Sequence, residues 1–141
     1  MVQRFDKLRQ TWRRLDPIFA LDYFSVTFSA GGRSQDKMKH VMKALSEEVI
    51  DVAPHLTCIG LSKTVVRELL HYYKQLVIKR LVVLRGDFLE GTTLIHEDFE
   101  DVNEIVAYIR KLMDNYFYIE VVGYPEFYPE SENVMDALKN F

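Results

Sequence analysis

Arg85, Gly86 and Asp87 form the run of the chain that is most suggestive of chemistry. They follow the apolar segment LVVL, and an arginine in that position can hold a phosphate group through its planar fork of donors. The glycine lets the backbone approach a ligand closely, and the aspartate puts a negative charge where a cofactor ring or a developing cation could sit. A tripeptide is weak support for a site, and an Arg–Asp ion pair that closes a strand-to-helix loop is the commoner role for such a run.

Other apolar segments also carry polar or aromatic residues near their ends. Thr27 ends the first of them, His55 lies in the second, and Tyr124 follows the last, where its ring could stack on a flat ligand. A lone histidine in a strand is more often a hydrogen-bonded core residue than a ligand or a base. The remaining histidines lack the spacing of metal ligands, so no metal site is predicted, and the single cysteine, Cys58, is expected to be buried and inert.

Helical and extended patterns alternate along the whole chain and would position these residues. A first helix is predicted to end at Pro17, and Ser34 and Ser62 are predicted to cap the next two helices. Strands are predicted at residues 22–28, 54–59, 80–84 and 117–122, with a further helix after each of the last two. This order predicts an α/β fold of parallel strands and crossover helices, in a single domain over residues 1–141. The carboxyl ends of such strands share one face, where ligands bind.

The composition of the chain argues against some classes of function. Hydrophobic residues make up 48% of the 141 residues and charged residues 28%, which is typical of a globular domain. Eighteen basic against twenty-one acidic residues give a net charge of −3, so there is no basic excess for nucleic acid. The charged amino terminus differs from a secretory signal, and the apolar runs are too short to cross a bilayer. We therefore expect a cytoplasmic protein without a nucleic-acid or membrane partner.

Four motifs, taken in their order and spacing, resemble the methylenetetrahydrofolate reductase family. They are SVTFSAGG at residues 25–32, APHLTC at 53–58, VVLRGD at 82–87 and GYPEFYPES at 123–131, and together they cover nearly the whole chain. Members of this family are flavoproteins that reduce 5,10-methylenetetrahydrofolate to 5-methyltetrahydrofolate, in tetrahydrofolate interconversion and methionine biosynthesis. The resemblance implies a (β/α)8 TIM barrel with FAD along the carboxyl ends of its strands.

The resemblance also implies roles for individual residues. Asp87 would be catalytic, because it would tune the flavin and favour a cationic folate intermediate. NADH or NADPH would reduce FAD, and the reduced flavin would pass hydride to the folate. Tyr128 stands where the family motif has histidine, and the acidic contact of the last helix falls on Asp136 or on Ala137. The cofactor-binding positions that match the family are Thr27, His55, Arg85, Gly86, Asp87, Tyr124 and Tyr128.

The length of the chain sets a further expectation. A barrel of this kind needs about 250 residues, so 141 residues supply a partial (β/α)8 TIM barrel of about four strands. The strand with the family's catalytic glutamate would precede this segment, so we expect weak activity or none from the chain alone. Two unpaired sheet edges predict a homo-oligomer or association with a complementing barrel fragment. Two alternatives stay open: a non-catalytic remnant or interaction protein with the same fold, and an open α/β sheet that binds another phosphate-bearing ligand.

Overall fold

Helices and strands alternate through the part of the chain that the structure, a computed structural model, describes: residues 2–27, 35–48, 51–86 and 98–122. The observed order confirms the predicted alternation over these ranges. The helices are α1 (Val2–Phe19), α2 (Gln35–Ser46), α3 (Lys63–Gln75) and α4 (Val102–Met113), and the strands are β1 (Phe24–Val26), β2 (Val52–Thr57), β3 (Arg80–Leu84) and β4 (Tyr118–Val121).

The four strands form one parallel sheet in the order in which they occur along the chain. β1 pairs with β2, β2 with β3 and β3 with β4, and every pairing is parallel. A helix lies in each connection between successive strands, as parallel pairing requires. This architecture confirms the predicted fold class, four parallel strands with intervening helices, as in part of an α/β TIM barrel.

One face of the sheet packs against the helices and forms the core. Side chains alternate between the two faces of a strand, and alternate residues of β2 and β3 enter this core. Val52, Leu56, Leu81 and Val83 are almost fully buried there. From α3 the core receives the four residues that its helical spacing predicts: Val66, Leu69, Leu70 and Tyr73. Each buried Leu or Val contributes about 1.5–3 kcal/mol to folding.

Side-chain caps define where two of the helices begin. The hydroxyl of Ser62 accepts a hydrogen bond from the backbone N–H of Val65 at 3.2 Å, which confirms the predicted cap of α3. The carboxylate of Asp101 accepts from the backbone N–H of Glu104 at 2.9 Å and caps α4 in the same way. Such a cap is worth about 1 kcal/mol, because it satisfies a backbone donor that the helix leaves free. Ser34, the predicted cap of α2, lies outside the described residues.

Several predicted boundaries were wrong by one or two residues. α1 continues through Pro17 to Phe19, and the backbone N–H of Ala20 still donates to the carbonyl of Asp16 at 2.9 Å. In the last turn, the proline removes only one intrahelical hydrogen bond, so the helix continues past it. β1 spans Phe24–Val26 instead of residues 22–28, β2 spans Val52–Thr57 instead of 54–59, and β4 spans Tyr118–Val121 instead of 117–122. Among the described residues, no helix combines the length and the apolar character needed to span a membrane.

Candidate active site

The candidate site lies on the sheet face opposite the helices. His55 stands between Pro54 and Leu56 in β2, and because Leu56 enters the helix-side core, His55 projects to the other face. Thr27 directly follows β1, and Arg85 directly follows β3. These residues come from three neighbouring parallel strands. Each of the three lies in, or directly after, a strand of this parallel sheet, and Thr27 and His55 are brought into contact with each other.

Thr27 and His55 contact each other across the β1–β2 pair. The hydroxyl oxygen of Thr27 lies 3.1 Å from Nδ1 of His55, within hydrogen-bonding distance. The ladder explains this approach, because Val26 pairs with Pro54 and the next residues on the two strands are Thr27 and His55. A hydrogen bond at Nδ1 fixes the orientation of the imidazole and leaves Nε2 free of this contact.

Partial burial lowers the pKa of His55 below its ordinary value of 6.5, because desolvation penalises the charged imidazolium. The imidazole is therefore neutral at pH 7. One of its nitrogens then carries a proton and the other accepts one, and Nδ1 can take either role because the Thr27 hydroxyl can donate or accept. A neutral histidine in this position can contact an uncharged ring without bringing a positive charge to it.

Arg85 and Gly86 extend the same edge of the sheet. The backbone N–H of Ile59 donates to the carbonyl of Arg85 at 3.0 Å, so the chain after β3 continues alongside the end of β2. Gly86 has a φ of +83°, in the left-handed region that glycine tolerates. A Cβ atom there would lie 3.1 Å from Cβ of Thr57. Because Gly86 has no side chain, the backbone after β3 can lie close to Thr57 of β2, which is two residues beyond His55.

Cys58 lies beside this edge but belongs to the core. Its side chain is buried, and burial raises the pKa of its thiol to about 12. The negative charges of Asp101 and Glu104 also raise this pKa, whereas the positive charge of Arg85 lowers it. The thiol is therefore protonated at neutral pH, in agreement with the prediction of an inert cysteine. Asp87, Tyr124 and Tyr128, the other predicted site residues, lie outside the described residues.

Comparison with known proteins identifies the family to which the chain belongs. The family model described as methylenetetrahydrofolate reductase matches residues 2–141. The chain belongs to the methylenetetrahydrofolate reductase family. The predicted resemblance is therefore confirmed, and the match includes all four motifs.

Several curated relatives of this family are similar to the chain. The 5,10-methylenetetrahydrofolate reductase of Salmonella typhimurium is 30% identical over an alignment of 141 positions, which covers 97% of this chain and 46% of that protein. A protein of the same name from Buchnera aphidicola is 34% identical over an alignment of 122 positions, which covers 84% of this chain and 39% of that protein. Methylenetetrahydrofolate reductase 1 of Schizosaccharomyces pombe is 28% identical and covers 99% of this chain and 23% of its own length. The chain spans less than half the length of these relatives.

A cluster of four polar residues on the same sheet face was not predicted from the sequence. We call it the inner-face cluster, and it consists of Tyr23, Asp51, Arg80 and Glu120. Arg80 lies 3.3 Å from the carboxylate of Asp51 and 3.4 Å from that of Glu120, and the hydroxyl of Tyr23 donates a hydrogen bond to Glu120. Charged residues inside otherwise apolar strands were the signal available in the sequence, since Arg80 opens RLVVL and Glu120 interrupts YIEV.

Proposed function

We propose that this chain forms part of the flavin site of a methylenetetrahydrofolate reductase. The observation that carries the proposal is the contact of Thr27 with His55 beside Gly86, at the carboxyl ends of adjacent parallel strands. This is the face where α/β folds bind cofactors. Family membership supports the same proposal.

The described residues fit FAD in their chemistry. A flavin presents an uncharged, flat ring with hydrogen-bonding edges, and a neutral imidazole and a hydroxyl are suitable partners for it. The guanidinium of Arg85 suits a phosphate or a ring oxygen, and the bare backbone at Gly86 permits close approach. Together they offer donors, acceptors and one positive charge at a single edge of the sheet.

Each residue then has a definite task. Thr27 orients His55, which contacts the ring, and Arg85 supplies charge-assisted hydrogen bonds. Asp87 would be the catalytic residue, holding a negative charge near the reacting atoms, and Tyr124 and Tyr128 would complete the cofactor contacts. Bound FAD supplies the two-electron chemistry, which side chains cannot provide.

The proposed reaction is the reduction of 5,10-methylenetetrahydrofolate by NADH or NADPH. One reduced nicotinamide and one proton are consumed, and 5-methyltetrahydrofolate and the oxidised nicotinamide are formed. The curated relatives named for this activity are more than twice as long as the matched segment. We therefore infer weak activity or none from this segment alone, and association with a second copy or with a complementing barrel fragment.

Titration of the purified chain with FAD, followed by flavin fluorescence, tests the cofactor site. Removing the ring contact in His55→Ala is expected to weaken binding about tenfold. His71→Ala is the matched control, because His71 is an exposed histidine of α3 and is expected to leave binding unchanged. The absence of flavin binding by the unmodified chain, or equal affinity of both variants, would refute the proposed site. Binding of adenosine phosphates with no preference for FAD would instead favour the alternative of a different phosphate-bearing ligand.

A further inference from the structure

The inner-face cluster joins strands that are not neighbours in the sheet. β1 and β4 lie at opposite ends of the strand order, yet Tyr23, directly before β1, donates a hydrogen bond to Glu120 of β4. Arg80 of β3 lies between them: its guanidinium is 5.0 Å from the ring centre of Tyr23 and 3.4 Å from the Glu120 carboxylate. The cluster therefore crosses the whole width of the described sheet.

This contact requires a strongly curled sheet. Three strand spacings of about 4.8 Å separate the outer strands of a flat four-stranded sheet by about 14 Å, and their side chains would project in parallel. A tyrosine and a glutamate could not meet under those conditions. Because they do meet, the face that bears His55 is concave, and side chains from its two ends converge.

The stagger of the contact also agrees with a barrel. Following the paired residues from strand to strand, Tyr23 aligns with Tyr116, which precedes Glu120 by four positions. The hydrogen bond is thus displaced by four residues over three strand steps. An eight-stranded barrel of shear about eight requires about one residue per strand. The cluster therefore connects points at similar heights along the axis of a barrel.

The cluster is also connected to the candidate site through the register. Val82 of β3 pairs with His55 on one side and with Glu120 on the other. Glu120 therefore lies in the same row of paired residues as His55, two strands away. The hydroxyl of Tyr23 is hydrogen-bonded to Glu120 in this row. Tyr23 also lies four positions before Thr27 in the segment that contains β1.

β1 is three residues long and lies at one end of the described sheet. It is held by its ladder with β2, by the packing of Phe24 and Val26 against the core, and by the edge-to-face contact of Trp12 with Phe24 at 4.5 Å. We propose that Tyr23 is a positioning residue, whose hydrogen bond to Glu120 fixes the tilt of β1 on β2 and thereby holds Thr27 against His55. Arg80 orients the accepting carboxylate. Only the consequence for flavin binding rests on the proposed function.

NMR of the full chain with isotope-labelled histidine tests this role without any cofactor. In Tyr23→Phe, the bond between Thr27 and His55 is expected to loosen, so the Nδ1 and Nε2 shifts of His55 move. Tyr118→Phe is the matched control, because Tyr118 also faces Arg80, with its ring 5.7 Å from the guanidinium. Glu120→Gln retains an acceptor for the tyrosine hydroxyl and is expected to restore the His55 signals relative to Glu120→Ala.

A second measurement separates this role from simple stabilisation. The free energy of unfolding of each variant is measured in parallel with FAD affinity, which Tyr23→Phe is expected to weaken about fivefold. The inference is overturned if Tyr23→Phe lowers stability but leaves the His55 shifts unchanged, or if Tyr118→Phe alters them equally. If the unmodified chain binds no FAD, the proposed function fails, while the NMR comparison still decides whether Tyr23 positions His55.

Discussion

Gly86 and Thr57 are packed so closely that no side chain fits between them. A Cβ atom on Gly86 would lie 3.1 Å from Cβ and 3.2 Å from Cγ2 of Thr57. Thr57 cannot easily turn away, because its hydroxyl donates a hydrogen bond to the carbonyl of Ile59 at 3.1 Å. The glycine thus sets the distance between the end of β2 and the backbone that follows β3.

Gly86→Ala is expected to destabilise the protein by about 1–3 kcal/mol, because a φ of +83° is strained for alanine and the new methyl group meets Thr57. Chemical denaturation of both proteins measures the loss. In a Thr57→Ser background, which lacks Cγ2, the same substitution is expected to cost less. An equal cost in the two backgrounds would show that backbone strain, and not the contact with Thr57, dominates.

The lowered pKa of His55 predicts a dependence of stability on pH. The unfolded chain, with its higher histidine pKa, binds a proton more readily than the folded chain does. The contribution of His55 is therefore complete above about pH 6.5 and is lost as the pH falls through the folded-state pKa. His55→Asn removes the titrating group, so the variant is expected to lose less stability than the unmodified protein between about pH 7.5 and 5.5. Identical pH profiles of the two proteins would contradict this assignment.

Local patterns predicted the elements of this fold, because each element buries one face. The residues of α3 that repeat at helical spacing are the ones that enter the core, and RLVVL forms β3 with the predicted bounds. The strand predicted over residues 54–59 would begin at Pro54. In the structure, Val52 and Ala53 already pair with β1 before it.

The inner-face cluster could not be predicted in the same way. The contact of Tyr23 with Glu120 spans 97 residues and depends on the curl and stagger of the sheet, which no local pattern encodes. Tyr118 illustrates the same limit. An aromatic residue in a strand usually packs against its neighbours, but this residue is 68% exposed on the concave face. The sequence predicted that Thr27 and His55 lie at the same edge of the sheet. It did not predict their hydrogen bond, because that bond depends on the register of β1 and β2.

Cys58 provides a test of the core beside the site. A fully buried thiol with a pKa of about 12 is almost entirely protonated at pH 8, and the thiolate is the reactive form. We expect negligible reaction with a disulfide reagent such as DTNB in the native protein and rapid reaction in denaturant. The labelling signal reports on Cys58 alone, since it is the single cysteine of the chain. Rapid native labelling would mean that the end of β2 opens readily.

The outer strand β4 carries exposed apolar residues that favour association. Val121 is 49% exposed at the outer strand of the described sheet, and a strand edge with apolar side chains is a template for pairing with another chain. Since a lysine on such an edge opposes strand addition, Val121→Lys is expected to lower the association state seen by sedimentation at a given protein concentration. Val77→Lys is the matched control, because Val77 is 69% exposed after α3, away from β4. If the unmodified chain is a monomer at every concentration, or if both lysine variants reduce association equally, β4 is not the associating edge.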